Sequence, residues 1–432
     1  MSNIPFTKEF GYIKLADILG VGSPKLNEVM DRFEDIERVN SLTLKQWIES
    51  GILTPNELAR INNVSSERIY SVIKYCKFND IRIITPEDNE YPEKLRYIEN
   101  PPIALYARGK RLDDSAPSIG IVGARKSTEF GQKAAYSLGA KLALAGFTII
   151  SGGAVGVDSM AHAGAMNAGG NTVMVLGCGL DSKYLMVQES LRKKAELHGT
   201  LLSEFEPKTP ATRYTFPIRN RIISALSCGV AVIEAGRKSG ALITATYAME
   251  QGKEIFALPG NINAPQYGGT NDLLRDGATP LLKVEDITEV YLGRFPDKLK
   301  TDISLTPEIK RGYYEEARRM SQRTFGYNNP KIDIKKNDSP KSIENKENEK
   351  LLSNSKNAVN TSEGLPFTDP SAIPCSENAK KIYLSFTQNT EFSDILLERS
   401  GLENGAFITA VTELELFGYV KAVPVGRYER IK

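Results

Sequence analysis

Residues 118–156 read SIGIVGARKSTEFGQKAAYSLGAKLALAGFTIISGGAVG. Two short apolar runs, Ser118–Gly123 and Phe147–Ser151, each end in a loop of glycines and polar residues, and a helical pattern fills the space between them. A strand without polar alternation is one buried on both faces, so the unit predicted is strand, crossover helix, parallel strand. The pattern repeats through Thr172–Leu176, Thr200–Ser203, Val230–Glu234 and Ile255–Leu258. It predicts an α/β fold: a Rossmann-like, doubly wound, mainly parallel sheet over residues 118–293. The ligand site of such a sheet lies beyond the carboxyl ends of its strands.

Working outward, residues 1–80 carry apolar positions at helical spacing, as in Ile13, Leu15, Ile18 and Leu19. Breaks fall at Gly20–Pro24 and Gly51–Pro55. The first break has the form of a helix-hairpin-helix turn, which either offers amides to a DNA phosphate or simply joins two helices. Residues 81–117 form a connector in which five prolines forbid long helices. Residues 294–376 read as a disordered linker, because Asn328–Pro366 holds no aromatic residue and is dense in Asn, Ser, Lys and Glu. Residues 377–432 regain periodicity as three helices and a strand pair around Pro424 and Gly426, the order of a winged helix.

A chain of 432 residues, at roughly 150 residues per domain, has room for about three domains. Lys and Arg total 55 against 53 Asp and Glu, which excludes a polybasic protein but leaves room for a local basic patch. Four cysteines lie far apart with no CxxC, so neither a disulfide framework nor a zinc ribbon is expected, and reduced thiols fit a cytoplasmic location. Two histidines argue against His-rich metal sites and a Ser-His-Asp triad. MSNIPFTKEF lacks the apolar core of a secretory leader, and no run approaches the roughly 18 apolar residues of a membrane span, so no membrane association is expected.

Six loops at strand ends carry the candidate chemistry. Gly123–Thr128 brings Arg125 and Lys126 beside a helix start, a place suited to phosphate. Ser151-Gly152-Gly153 lets backbone approach a ligand, with Asp158 as a cap of the next helix. Gly177–Asp181 reads as a tight turn. Arg213-Tyr214-Thr-Phe216-Pro-Ile-Arg219-Asn220-Arg221 interleaves three guanidiniums with two aromatics, a composition suited to a phosphate backbone and stacked bases on Tyr214 or Phe216. Glu234-Ala-Gly236-Arg237-Lys238-Ser239-Gly240-Ala241 forms a glycine-containing anion nest at a helix start. The sixth is Pro259–Asn261, with Gly268–Asn271 opening the next helix. Neither G-x-G-x-x-G nor G-x-x-x-x-G-K-[ST] occurs. Seven cations (Arg125, Lys126, Arg213, Arg219, Arg221, Arg237, Lys238) converge on one sheet edge without paired carboxylates or a nucleophile, so the edge reads as binding without chemistry.

The runs GARKSTEFGQ, SGGAVGVDSMAHAGAM, FPIRNRIISALS, EAGRKSGALITATYAMEQGKEIFALPG and GGTNDLLRDGA closely resemble the DprA/Smf family of bacterial DNA-processing proteins. The resemblance covers about residues 81–290, with a SAM-like helical domain before it and a winged helix after it. It implies a dimer that binds and protects single-stranded DNA, helps load the RecA recombinase during natural transformation, and needs no cofactor. Arg125 stands at the arginine of the family's G-[SA]-R loop, and Ser151, Gly152 and Gly153 stand in its S-G-G-A. Arg219, Asn220 and Arg221 match R-N-R-I, and Lys238, Ser239 and Gly240 match K-S-G. One departure is Tyr184-Leu185 with Gln188, where relatives read Y-P-x-x-N.

Two alternatives stand beside this. The sheet also resembles nucleotide-monophosphate phosphoribohydrolases, but Pro259-Gly260-Asn261 and Gly268-Gly269-Thr270-Asn271 do not fill their P-G-G-x-G-T-x-x-E motif. The winged helix suggests duplex DNA, yet its third helix, Glu403–Leu416, contains no Lys or Arg, which favours a protein contact.

Overall fold

Thr7 opens the first helix: its hydroxyl accepts the Phe10 N–H, and α1 (Lys8–Leu19) follows. The computed structural model describes residues 7–183, 189–301, 303–326, 375–387, 390–423 and 427–431. They fall into two compact units, Met1–Asp333 and Ile334–Lys432. After α1 come α2 (Leu26–Phe33), α3 (Ile36–Ser41), α4 (Leu44–Ser50), α5 (Pro55–Ile61) and α6 (Ser66–Phe78). Thr43 with Gln46 and Thr54 with Glu57 form capping boxes that start α4 and α5 where the sequence breaks. Tyr12, Leu15, Val29, Trp47 and their neighbours bury a small core of their own.

The connector contributes more than a link. Arg82–Ile84 (β1) and Leu105–Gly109 (β2) are strands that pair antiparallel with each other. β2 also pairs antiparallel with β6 (Thr200–Ser203), so the prolines stop helices there without stopping sheet. The parallel body alternates β3 (Ser118–Val122), α7 (Glu129–Ala145), β4 (Thr148–Ser151), α8 (Val157–Asn167), β5 (Thr172–Leu176), α9 (Glu189–His198), β6 (Thr200–Ser203), α10 (Thr215–Leu226), β7 (Gly229–Val232), α11 (Ala241–Glu250) and β8 (Glu254–Ala257). Then α12 (Gly268–Arg275), β9 (Thr279–Pro280) and α13 (Glu285–Leu292) complete it. The strand order is β1-β2-β6-β5-β4-β3-β7-β8-β9. From β3 the chain steps outward through β4, β5 and β6, then returns to lay β7 on the other side of β3. The loops after β3 and β7 therefore diverge to opposite faces and leave a crevice between them. Every residue of β3, β5 and β7 is buried, as a sheet covered on both faces requires. Ala135, Met160 and Ile287 pack on one face, and Ile222, Ala245 and Leu273 on the other.

The expected linker needs correction at its start. Residues 307–326 form a helix, α14 (Pro307–Gly326), seated on α7 and α8 through buried Ile309 and Tyr313. The Tyr136 hydroxyl donates to the Ile309 carbonyl at 2.8 Å and accepts from Asn167 at 2.8 Å. A polar composition concealed two apolar anchors at i and i+4, enough to hold one helical face. Most of the expected linker, 327–374, lies outside the described residues, as does the Tyr184–Gln188 departure.

The Gly20–Pro24 hairpin is a docking element. The Gly22 N–H donates to Glu204 Oε1 at 3.3 Å, and Asn100 Nδ2 donates to the Gly22 carbonyl at 3.3 Å, so the turn's amide serves the protein itself. Behind it, Arg221 and Glu204 form an ion pair at 2.8 Å with side-chain exposures of 1% and 3%. Arg221 also donates to the carbonyls of Asn100 (3.0 Å) and Ile218 (3.1 Å). Nearby, Arg68 binds Asp17 and both oxygens of Glu206, and Asp181 takes a bidentate bond from Arg108 and one from the Tyr75 hydroxyl at 3.1 Å. The Gly177–Asp181 loop is thus a turn that ties α6 and β2 to the sheet.

In the second unit, α15 (Glu377–Leu384), β10 (Thr390–Phe392), α16 (Ser393–Ser400), α17 (Asn404–Leu416), β11 (Val420–Val423) and β12 (Arg427–Arg430) follow winged-helix order. Its three strands lie β10-β12-β11, and Ile382, Tyr383, Phe386, Leu396, Val411 and Leu414 form its core. The Pro424–Gly426 turn lies outside the described residues.

Two measurements check this packing. Arg221→Ala leaves a buried carboxylate unpaired and is expected to destabilise the first unit by about 3–5 kcal/mol, read as a lowered thermal midpoint; Arg221→Met with Glu204→Leu should lose much less. At Gly312 an added Cβ would lie 2.5 Å from Asn167 and 2.6 Å from the Tyr136 hydroxyl. Gly312→Val should cost about 1–3 kcal/mol, and an unchanged midpoint would mean that α14 does not sit on α7 and α8.

Candidate nucleic-acid interface

Four loops meet at the carboxyl edge of the sheet because two helices bring their starts there. α10 begins above β5: Phe216 lies against Gly177, where a Cβ would meet its ring at 2.8 Å. The Arg125 guanidinium, from the loop after β3, rests over the Phe216 ring at 4.4 Å, and Arg219 lies 6.0 Å from the same ring. Arg219 donates to the carbonyl of Gly152 at 2.7 Å and to that of Val175. Asn220 accepts from Arg219 at 3.1 Å and donates to the Gly240 carbonyl at 3.2 Å, which joins α10 to the start of α11. The loops holding Arg125, Gly152, Phe216 and Gly240 are therefore one connected structure.

The expected site residues divide by burial. Arg125, Lys126, Arg213, Lys238 and Gly240 are exposed, and Gly153 and Ser239 are partly so. Four corrections follow. Arg221 is internal, committed to Glu204, and cannot meet a ligand. Ser151 is fully buried and donates to the Ile121 carbonyl at 2.5 Å. Gly152 gives its N–H to Asp158 (3.1 Å) and its carbonyl to Arg219, and a Cβ there would fall 2.4 Å from that guanidinium, so glycine is needed for the close approach. Phe216 has a face covered by Arg125 and works as its support. Arg219 and Asn220, 5% and 7% exposed, frame the groove from beneath. The open aromatic is Tyr214, 64% exposed, with Arg213 over its ring at 4.8 Å. Arg237 is exposed but paired with Asp272 at 2.7 Å, so its charge is partly offset.

The helix starts differ in what they can offer an anion. α10 begins without a side-chain cap, leaving its positive end at the groove, whereas at α11 the Ser239 hydroxyl accepts the Ala241 N–H at 3.3 Å. α7, the helix expected beside a phosphate, is already served: Thr128 caps it, and the Glu234 carboxylate accepts the Thr128 N–H at 3.1 Å and its hydroxyl at 2.8 Å. Asp158 accepts amides from Gly152 and Ala154, and burial raises its carboxyl above the usual range while the Arg219 charge opposes that shift. His162, beneath the same loop, is fully buried with Nδ1 2.6 Å from Thr172 Oγ1; burial pushes its pKa down to about 3, so it stays neutral. Glu234, which opens the fifth loop but receives no role from its sequence, and Tyr267, whose hydroxyl lies 3.3 Å from Thr128 Oγ1, are organising residues. The only signal was an acidic residue closing an apolar strand.

A family profile described as DNA recombination-mediator protein A matches residues 82–292. DNA processing protein DprA of Bacillus subtilis is 40% identical over 210 residues, which are 48% of this chain and 71% of that protein. Protein Smf of Synechocystis is 39% identical over 220 residues, 50% of this chain and 55% of its own length. Among solved structures, DNA processing protein A from Streptococcus pneumoniae superposes with a TM-score of 0.58 at 28% identity, covering 66% of this chain and 98% of its own. The profile match begins at Arg82, the first residue of β1, so the strands of the connector fall within it. With its parallel sheet, its helical N-terminal region and these relatives, the chain belongs to the DNA recombination-mediator protein A family, the DprA/Smf proteins.

Proposed function

We propose that the carboxyl edge of the sheet binds the backbone of single-stranded DNA and that the chain serves recombination as a binding protein rather than an enzyme. The observation that carries this reading is Arg125 held over Phe216 beside exposed Lys126, Arg213 and Lys238, at the edge where α10 and α11 start. Point charges and amides suit phosphates of any sequence, and the open ring of Tyr214 suits a stacked base, which duplex would keep paired. Asp158 and Glu234 are each engaged by donors of the protein, so neither is offered as an acid or base. Delivery of the coated strand to the RecA recombinase is the recombination step we assign to it, consistent with the family's description as a recombination mediator. For α17, which carries no Lys or Arg, we assign a protein contact.

Fluorescence anisotropy of a labelled single strand tests the groove. Tight binding is expected, lost as salt rises, and an unlabelled duplex should not displace the strand. Arg125→Ala and Lys238→Ala should each weaken binding about tenfold and flatten the slope of log affinity against log salt by about 0.7 per lost phosphate contact. Unchanged affinity in both variants would remove the groove assignment.

We further propose a homodimer through the β8–β9 edge, where Leu282, just after β9, exposes 77% of its surface. Light scattering should report a dimer for the native chain and a monomer for Leu282→Asp; a native monomer at micromolar concentration contradicts this.

A further inference from the structure

We infer that Glu234 is the positioning residue of the strand-binding groove: it suspends the loop that carries Arg125 and Lys126 from the end of β7. The inference rests on the single-strand reading above and adds a residue that never meets the strand.

Glu234 is fully buried. It touches both ends of the Ala124–Thr128 loop. Its own carbonyl accepts the Ala124 N–H at 2.6 Å. Its carboxylate accepts the Thr128 N–H and hydroxyl. Between these anchors stand Arg125, Lys126 and Ser127, two of them the exposed cations of the groove. Thr128 is also the cap of α7, accepting the Gly131 N–H at 3.1 Å, so helix and loop share one anchor. The fit is close: a Cβ on Gly131 would fall 2.2 Å from Glu234 Oε2. A third element joins through Tyr267, whose hydroxyl is 3.3 Å from Thr128 Oγ1 and 3.5 Å from Glu234 Oε2.

The chemistry explains the choice of a carboxylate. Charge-assisted bonds from backbone N–H groups are stronger than neutral ones, and a negative group at a helix start is stabilised by the positive end of α7. A phosphate competing for the same amide would have to displace a side chain already desolvated there. The loop is therefore held in shape before the strand arrives, with its two cations exposed and the amides at both its ends engaged by Glu234. β3 and β7 are neighbours in the sheet, so this bond also spans the crevice where the strand order reverses.

The experiment uses the full chain with Glu234→Gln, which keeps volume but offers an amide to the helix start. Hydrogen exchange without DNA should show residues 124–128 exchanging about tenfold faster while β3 and β7 keep their protection. Single-strand affinity at moderate salt should fall about tenfold, with a flatter salt slope. Glu234→Gln added to a chain already carrying Arg125→Ala and Lys126→Ala should change binding by no more than about twofold, because the cations it positions are then absent. Losses that multiply, or native exchange at 124–128, overturn the proposal. If Glu234→Gln does not fold, Thr128→Val carries the test, with Thr128→Ser expected to retain wild-type exchange and affinity; equal behaviour of Val and Ser overturns it. A wild-type chain that binds no single strand refutes the groove reading, while the exchange measurement still decides whether Glu234 holds the loop.

Discussion

A guanidinium almost entirely out of water governs how this molecule is assembled. Arg221 is tolerated in the interior because Glu204 neutralises it and two carbonyls take its remaining N–H groups. Glu204 follows β6, Asn100 belongs to the segment before β2, and Gly22 belongs to the helical region, so one pair orients α10, the sheet edge and the N-terminal helices together. Such a pair adds little net stability over apolar packing, but its geometry admits few alternatives.

Three consecutive residues of α10 divide their work because a helix turns about 100° per residue. Arg219 faces the groove floor, Asn220 reaches the start of α11, and Arg221 holds Glu204, the carboxylate that also accepts the Gly22 N–H of the helical region. The docking of the helical region and the floor of the groove are therefore set by the same helix. A disturbance at the Gly20–Pro24 hairpin has a short path to Arg219, and through Phe216 to Arg125.

The groove owes its charge to what is buried as much as to what is exposed. Of the seven cations gathered in sequence around this edge, one is neutralised inside and one pairs with Asp272 at the surface. Asp158 and Glu234 are buried behind the loops, each held by backbone amides. What remains toward solvent is positive, although the chain as a whole carries a formal charge of only +2.

The sheet could be read from sequence because its signal is local. Short apolar runs such as TVMVL, each followed by a glycine-rich or polar loop, fall on observed strands to within a residue or two. The edge bearing the ligand loops followed from topology alone. The antiparallel β1 and β2 were missed because three to five residues among prolines form a strand only when β6 is there to pair with. α14 was missed because Ile309 and Tyr313 are anchors only once α7 and α8 present a surface. Residue type also identified the groove's cations but could not tell Arg125 from Arg221. Both stand in motifs rich in basic and polar residues, and a guanidinium can serve a phosphate or a carboxylate equally well. The sequence by itself determined the alternation of strand and helix and the chemistry gathered at one edge. Only the tertiary structure decided which arginine faces water, because that depends on whether a carboxylate from a distant strand, here Glu204, comes within 2.8 Å.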